Sequence, residues 1–176
     1  MTHFTALPLG LALALTAVPA TAQTPPPPPP PEANSRAAPY VMAAGQSDLF
    51  EIESSQLALQ KSRTPAIRQY ADMLIKHHRQ TTTATLAAAR KAGMTPPPPV
   101  PNPGARASIG ELQSASAADF DRIYLAQQVP AHRAALALHK SYGAGGDQAA
   151  LRTSARKAVP IVQQHLTAAE RMQRSR

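Results

Sequence analysis

The sequence predicts an all-α protein: an antiparallel four-helix bundle with one long proline-rich connection. Alanine dominates the apolar residues, whereas the aromatic residues number only four Tyr and three Phe in 176. So few β-branched and aromatic side chains beside so much alanine argue against a sheet. Apolar residues recur at helical spacing, and no segment alternates convincingly as a strand. Four such segments of roughly 20–28 residues, parted by proline and glycine, are enough to enclose one core.

The elements follow in chain order. Leu7 to Val18 is an apolar run ending in Ala20-Thr21-Ala22, a small-x-small cleavage signal. It is too short to span a bilayer comfortably, and its n-region carries only His3, with no Lys or Arg. Residues 1–22 are therefore expected to be a signal peptide, leaving a mature chain from near Gln23 in the periplasm or outside the cell. With no cysteine in the chain, a lipoprotein anchor is not available. Zero cysteines also exclude disulfide frameworks, zinc-thiolate sites and cysteine nucleophiles. Pro25 to Pro31 is an unbroken proline tract, so residues 23–38 are expected to form a stiff, disordered linker.

The bundle is expected over residues 39–173, with a basic tail at 174–176. The first helix runs from about Pro39 to Ser62. The second opens at Thr64-Pro65, an N-cap with proline at the first helical position, and stops at Gly93. Its apolar stripe is Ile67, Tyr70, Ala71, Leu74, His78 and Leu86. Met94 to Gly104 is proline-rich and reads as a loop, with Ser108-Ile-Gly-Glu111 opening at most a short turn. The third helix runs from Ser116–Asp119 to about Tyr142 and ends at Gly143, Gly145 and Gly146. Asp147 is expected to cap the fourth, which runs to about Met172. Pro130 and Pro160 fall inside these last two helices and should kink them.

The helical faces bring one inward polar residue from each helix: Glu51, His78, His132 and His165. Bundles build metal sites by such convergence, and three imidazoles with a carboxylate suit copper, zinc, iron or nickel. Asp121 and Tyr124 share a face with His132 and are candidates to orient an imidazole. The competing reading is a buried hydrogen-bond network with no metal. His77 and His139 read as peripheral surface histidines.

The residues that carry these faces resemble a known family. Ser47-Asp-Leu-Phe-Glu-Ile-Glu-Ser-Ser-Gln-Leu-Ala58, Tyr70-Ala-Asp-Met-Leu-Ile-Lys-His-His78, Phe120-Asp-Arg-Ile-Tyr124 with His132, and Val159-Pro160 followed by His165-Leu166 are similar to the bacterial ferritin-like family catalogued as domain of unknown function 4142. The resemblance covers about Pro39 to Met172. It implies an exported ferritin-like bundle whose recurrent polar positions match Glu51, His78, Asp121, Tyr124, His132 and His165. Two departures stand out: His77 where the family often has Asp, and Pro130 near His132. Ferritin-type di-iron sites need Glu-x-x-His pairs, yet Leu74, Ile75, Val129, Leu136 and Val162 precede the histidines by three. This argues against a di-iron oxidase or an iron-storage shell.

Two readings of function follow. One is an exported bundle, stress-linked or otherwise, that binds a transition metal. The other is a non-catalytic structural or interaction module of the cell envelope. A hydrolase is disfavoured, since neither a Gly-x-Ser-x-Gly elbow nor a phosphate-binding glycine loop is present. The net charge of +8 suggests an anionic envelope surface as partner. No basic block with interleaved aromatics points to nucleic acid. Oligomeric state is not specified.

Overall fold

The computed structural model describes residues 26–175; the expected signal peptide and its cleavage point lie outside the described residues. The described chain has no strand and contains five α-helices after a short 3-10 turn. They are α1 (Ala37–Lys61), α2 (Pro65–Lys91), α3 (Pro103–Ser114), α4 (Phe120–Gly145) and α5 (Ala149–Arg174). Residues 62–64 join α1 to α2 and residues 146–148 join α4 to α5, so each pair folds back as a helical hairpin. α1 packs on α2 and α4, and α5 packs on α4 and α2, which closes the four long helices around a common interior.

Local chemistry sets the helix ends. Pro65 starts α2, where its fixed φ suits the first turn and its missing N–H costs nothing. Gly93, at φ 73°, lets the chain turn off α2, and the Met94 N–H returns to the Ala89 carbonyl at 3.0 Å. This is a Schellman closure, which a residue with a Cβ would strain. Thr64 holds the N-cap position of α2 without a capping bond; its hydroxyl donates instead to Asp121 Oδ2 at 2.6 Å. Asp147 does not cap α5. Gln148 occupies that position, and Asp147 Oδ1 accepts from the Tyr142 hydroxyl at 2.9 Å. Neither Pro130 nor Pro160 ends its helix.

Two connections differ from expectation. The proline-rich loop closes at Asn102, whose side chain accepts from Ala105 N–H at 2.8 Å and caps α3, with Pro103 at the first position. A fifth helix therefore stands where only a short turn was expected. The segment expected to be a linker up to residue 38 is also packed on the bundle. Pro31–Asn34 forms a 3-10 turn with Ala33 fully buried, and α1 already begins at Ala37. The Asp147 N–H donates to the Ser35 carbonyl at 2.9 Å. Pro26–Pro30 lie beside Ala43, Phe50, Ala105 and Ala131 on α1, α3 and α4. A Cβ on Gly104 would collide with the Pro27 ring. Proline rings carry apolar surface and no N–H donor, so such a strand covers an apolar seam without orphaning donors.

The interior holds two large apolar clusters with a polar layer between them, and a small third cluster of Phe50, Ala105 and Ala131. One gathers Ile67, Leu74, Phe120, Tyr124, Val162 and Leu166 among others. The second gathers Tyr40, Leu138, Tyr142 and Leu151 with small alanines. On α1 and α2 the stretch between the two larger clusters buries Asp48, Glu51, Ser54, Ser55, His78 and Thr81, with Phe50 a buried apolar side chain among them. Burying so many polar groups is costly unless each finds a partner, so their partners decide what this layer is for.

Candidate metal centre

The three predicted histidines meet in this layer. One ring nitrogen from each of His78, His132 and His165 lies within 4.8 Å of one from each of the others. The ring centroids are 5.1 Å apart for His78 and His165, 5.3 Å for His132 and His165, and 5.7 Å for His78 and His132. α2, α4 and α5 each supply one ring. All three side chains are buried.

Each imidazole is held from behind by one nitrogen, leaving the other unpartnered. His132 Nδ1 lies 2.9 Å from the Gln128 carbonyl, one helical turn back. A carbonyl only accepts, so Nδ1 carries the proton and Nε2 the lone pair. His78 Nδ1 lies 2.8 Å from Asp48 Oδ1, and the Asp48 carboxylate is itself fixed by the Thr81 and Thr82 hydroxyls at 3.0 and 2.7 Å. In neutral His78 the lone pair is therefore also on Nε2. His165 Nε2 lies 2.9 Å from His77 Nδ1, with the two rings stacked 5.1 Å apart. When His165 donates in this bond, its lone pair sits on Nδ1. The three nitrogens so released, His78 Nε2, His132 Nε2 and His165 Nδ1, are those that lack any hydrogen-bond partner.

Glu51 is fully buried on α1, with its Oε1 3.6 Å from His132 Nδ1. It stands against the back of that ring and is not among the three converging groups. Burial pushes its carboxyl up to about 8, with the His78 charge opposing. Asp121 accepts from Thr64, pinning the start of α4 to the α1–α2 turn. The Tyr124 hydroxyl pairs with Ser55 Oγ at 2.9 Å. The carboxylate that orients an imidazole is Asp48, which sequence reasoning passed over. It lies three residues before Glu51, on the same face of α1, and that spacing was the available signal. His77 was taken as a surface residue; it is half-buried and stacks on His165. His139 is corrected more fully: it is buried, its Nδ1 3.1 Å from the Tyr40 hydroxyl.

The electrostatics favour neutral rings at His132 and His165. Burial, with the His78 charge, lowers His132 to about 3. Burial, followed by His78, His132 and His77, lowers His165 to about 2. For His78, burial also acts downward, but the hydrogen bond and charge of Asp48, with Glu51, outweigh it and hold the ring above its ordinary value. The site thus presents two imidazoles that stay neutral and a third that shares its proton with a carboxylate.

This donor set fits a transition metal ion. Three buried nitrogen lone pairs converge with nothing to satisfy them, and imidazole suits copper, zinc, iron and nickel. Three nitrogens bound at about 2.1 Å to one ion lie at most about 3.6 Å from one another, so a group within 4.8 Å closes on one ion when the rings swing inward by somewhat under about 1 Å each. Asp48, the Gln128 carbonyl and His77 are the outer partners such ligands need to hold their orientation. A cleft of about 370 Å³ between α1, α2 and the loop at 94–99 reaches inward as far as Asp48.

The family model described as domain of unknown function DUF4142 matches residues 22–172. The chain belongs to this family. No curated protein matches this DUF4142 chain. Among solved structures it is similar to "CopM in the Cu(II)-bound form", at 14% identity and a TM-score of 0.66 over 80% of this chain and 98% of that one. It is also similar to "CopM in the Cu(I)-bound form", at 14% identity and a TM-score of 0.68 over 80% and 96%. A DUF305 fragment from Deinococcus radiodurans matches at 17% identity with a TM-score of 0.69, over 85% of this chain and all of the fragment. At these identities the likeness is one of fold.

Proposed function

We propose that this DUF4142 protein is an exported, ferritin-like four-helix bundle that binds one transition metal ion through His78, His132 and His165, with copper the first candidate. The observation that carries the reading is the set of three unpartnered, buried imidazole nitrogens turned toward one another. An orphaned buried polar atom costs about 1–3 kcal/mol, and a shared metal ion would relieve three at once. The choice of copper is supported by the imidazole donors and by the two CopM structures titled as copper-bound. Bound copper would supply one-electron chemistry, or would simply be sequestered. The chain's own contribution is to hold the rings from behind and to exclude water with the flanking apolar clusters. Export rests on the signal expected in residues 1–22.

The experiment is metal analysis of the mature chain from Gln23, purified without an affinity tag, beside His78→Ala and His165→Ala. The expected result is about one metal per chain, lost in both variants. Added Cu(I) or Cu(II) should raise the melting temperature of the metal-free protein, as binding to the native state alone requires; saturation at 100 times Kd adds about 2.7 kcal/mol. If no copper, zinc, iron or nickel is found or taken up while the helical signal is intact, the reading falls. The layer is then the buried hydrogen-bond network of an envelope interaction module, a role to which the Asp48 network with Thr81 and Thr82 is already suited.

A further inference from the structure

The positive charge of the chain is concentrated on two of its helices. α2 carries Arg68, Lys76, Arg79, Arg90 and Lys91 against the single acid Asp72. α5 carries Arg152, Arg156, Lys157, Arg171 and Arg174 against Glu170. These two helices together hold a net +8, equal to the charge of the whole chain. α1, across the bundle from α5, is net −2, with Lys61 against Asp48, Glu51 and Glu53. α2 and α5 pack side by side, and at about 1.5 Å per residue each presents an edge on the order of 40 Å long.

The surface between them has the shape for headgroups. Lys76, Lys91, Lys157 and Arg171 are exposed. Two shallow depressions follow the α2–α5 seam, of about 140 and 290 Å³. The first is floored by Ala84 and Ala158 and bordered by Lys157. The second is floored by Ala66 and Ala168 and bordered by Arg171. The acid on α5 is turned away, since Glu170 Oε1 pairs with Arg133 of α4 at 2.6 Å. Arg152 and Arg156 spend a guanidinium nitrogen on the Gly146 and Gly143 carbonyls at the α4 end. On α2, Arg68 spends its guanidinium on the Leu59 and Ser62 carbonyls, and Arg79 lies on the flank toward α1, opposite to His77. Lys76, Lys91, Lys157 and Arg171 are exposed cations left on the seam and the outer arc.

We propose that the α2–α5 face docks on an anionic phospholipid membrane. Charge complementarity to a sheet of phosphates carries the assignment, and the long edges of two adjacent helices suit a flat partner. Nucleic acid fits less well. Every Tyr and Phe among the described residues is buried, so the face offers no ring on which a base could stack. The proposal is independent of the metal centre, because none of these side chains holds the three histidines.

Sedimentation with vesicles of phosphatidylcholine, with and without phosphatidylglycerol, tests it on the mature chain. The expected result is binding only to the anionic vesicles, falling steeply as salt rises from low to physiological concentration and beyond. A basic side chain at such a surface is worth about fivefold in partition. The fourfold variant Lys76→Gln/Lys91→Gln/Lys157→Gln/Arg171→Gln should therefore bind on the order of 100-fold more weakly or worse. A second fourfold variant, Arg106→Gln/Arg122→Gln/Arg133→Gln/Lys140→Gln, removes the same charge from α3 and α4 and should lose less than about tenfold. Equal loss in both variants overturns the proposal in favour of net charge alone. So does equal binding to neutral vesicles, or tighter binding to a DNA duplex at the same salt. If the first variant does not fold, protection of the Lys76 and Lys157 amines from acylation by anionic vesicles on the unaltered chain decides the question; unchanged labelling overturns it.

Discussion

His77 Nδ1 lies 2.9 Å from His165 Nε2 with the rings stacked 18° from parallel, so a half-buried imidazole stands directly behind a fully buried one. When His77 Nδ1 accepts, this bond selects the His165 tautomer whose Nδ1 is free to face His78 and His132. His77→Phe keeps the stack and removes the acceptor. Metal affinity should fall about 10- to 100-fold, the usual cost of losing an outer partner, while the melting temperature of the metal-free chain barely moves. Competition titration against a chelator of known affinity measures the first effect and thermal melting the second. His77→Asn, which restores an acceptor, should recover part of the loss. A large fall in metal-free stability with unchanged affinity would make His77 a packing residue instead.

Asp48 does for His78 what His77 does for His165, but with a charge. Its carboxylate accepts from the imidazole at 2.8 Å and from Thr81 and Thr82. Asp48→Asn leaves a similar shape without the charge. The His78 ring, held above its ordinary value mainly against burial by Asp48, should then titrate at lower pH, which NMR of the metal-free protein reads directly. Metal affinity should fall about 10- to 100-fold even so, because the ligand loses its orienting anion. An unmoved His78 titration would show that Glu51, not Asp48, holds its proton.

Which parts of this site the sequence revealed follows from how each helix is buried. On α2 and α5 one clear apolar stripe runs along the helix, and His78 and His165 sit within it, so periodicity alone turned them inward. α4 is buried around most of its circumference. The face shared by Asp121, Tyr124 and His132 is only part of what this helix buries, so His139, buried against Tyr40, reads from the sequence as a surface residue. His77 lies about 100° around α2 from His78, on the flank that meets α5, and stripe reasoning has no means of crediting a flank. Asp48 was hidden among the hydrophilic residues of α1, whose inward face is polar in the middle. The helix α3 was missed because the proline run before it drew attention away from Asn102-Pro103, a cap and first-turn pair. The proline strand at 26–30 was legible as polyproline but not as packed, since its partner surface is assembled from three separate helices.

His139 makes the metal-free protein acid-labile in a way that can be isolated. Burial pushes this ring down to about 4, against about 6.5 in the unfolded chain. Below pH 6.5 the unfolded state therefore takes up a proton that the folded state refuses, and stability falls with pH until about pH 4. Between pH 7 and pH 5 the loss is on the order of 2 kcal/mol. His139→Gln keeps a partner for the Tyr40 hydroxyl and cannot charge. Melting curves of both proteins should show the wild type losing the more stability on acidification. Parallel losses would mean that the acid sensitivity lies with other groups.

Glu51 carries the opposite pH dependence and the sharpest test of what the polar layer is for. Burial raises its carboxyl to about 8, against about 4.5 when unfolded. The folded state thus keeps a proton that the unfolded state releases, so its contribution to stability is greatest below pH 4.5 and is lost as pH rises through about 8. At pH 7 the resulting penalty is on the order of 3 kcal/mol. The His78 charge and the Gln128 side chain only partly offset burial. Glu51→Leu, of similar volume, should therefore stabilise the metal-free chain at pH 7, raising its melting temperature by several degrees, with the gain shrinking at pH 5. A site retained for binding behaves this way, carrying unsatisfied groups at the expense of stability. If Glu51→Leu is destabilising at both pH values, Glu51 is a satisfied member of a structural network, and the carboxylate belongs to the fold rather than to the metal centre.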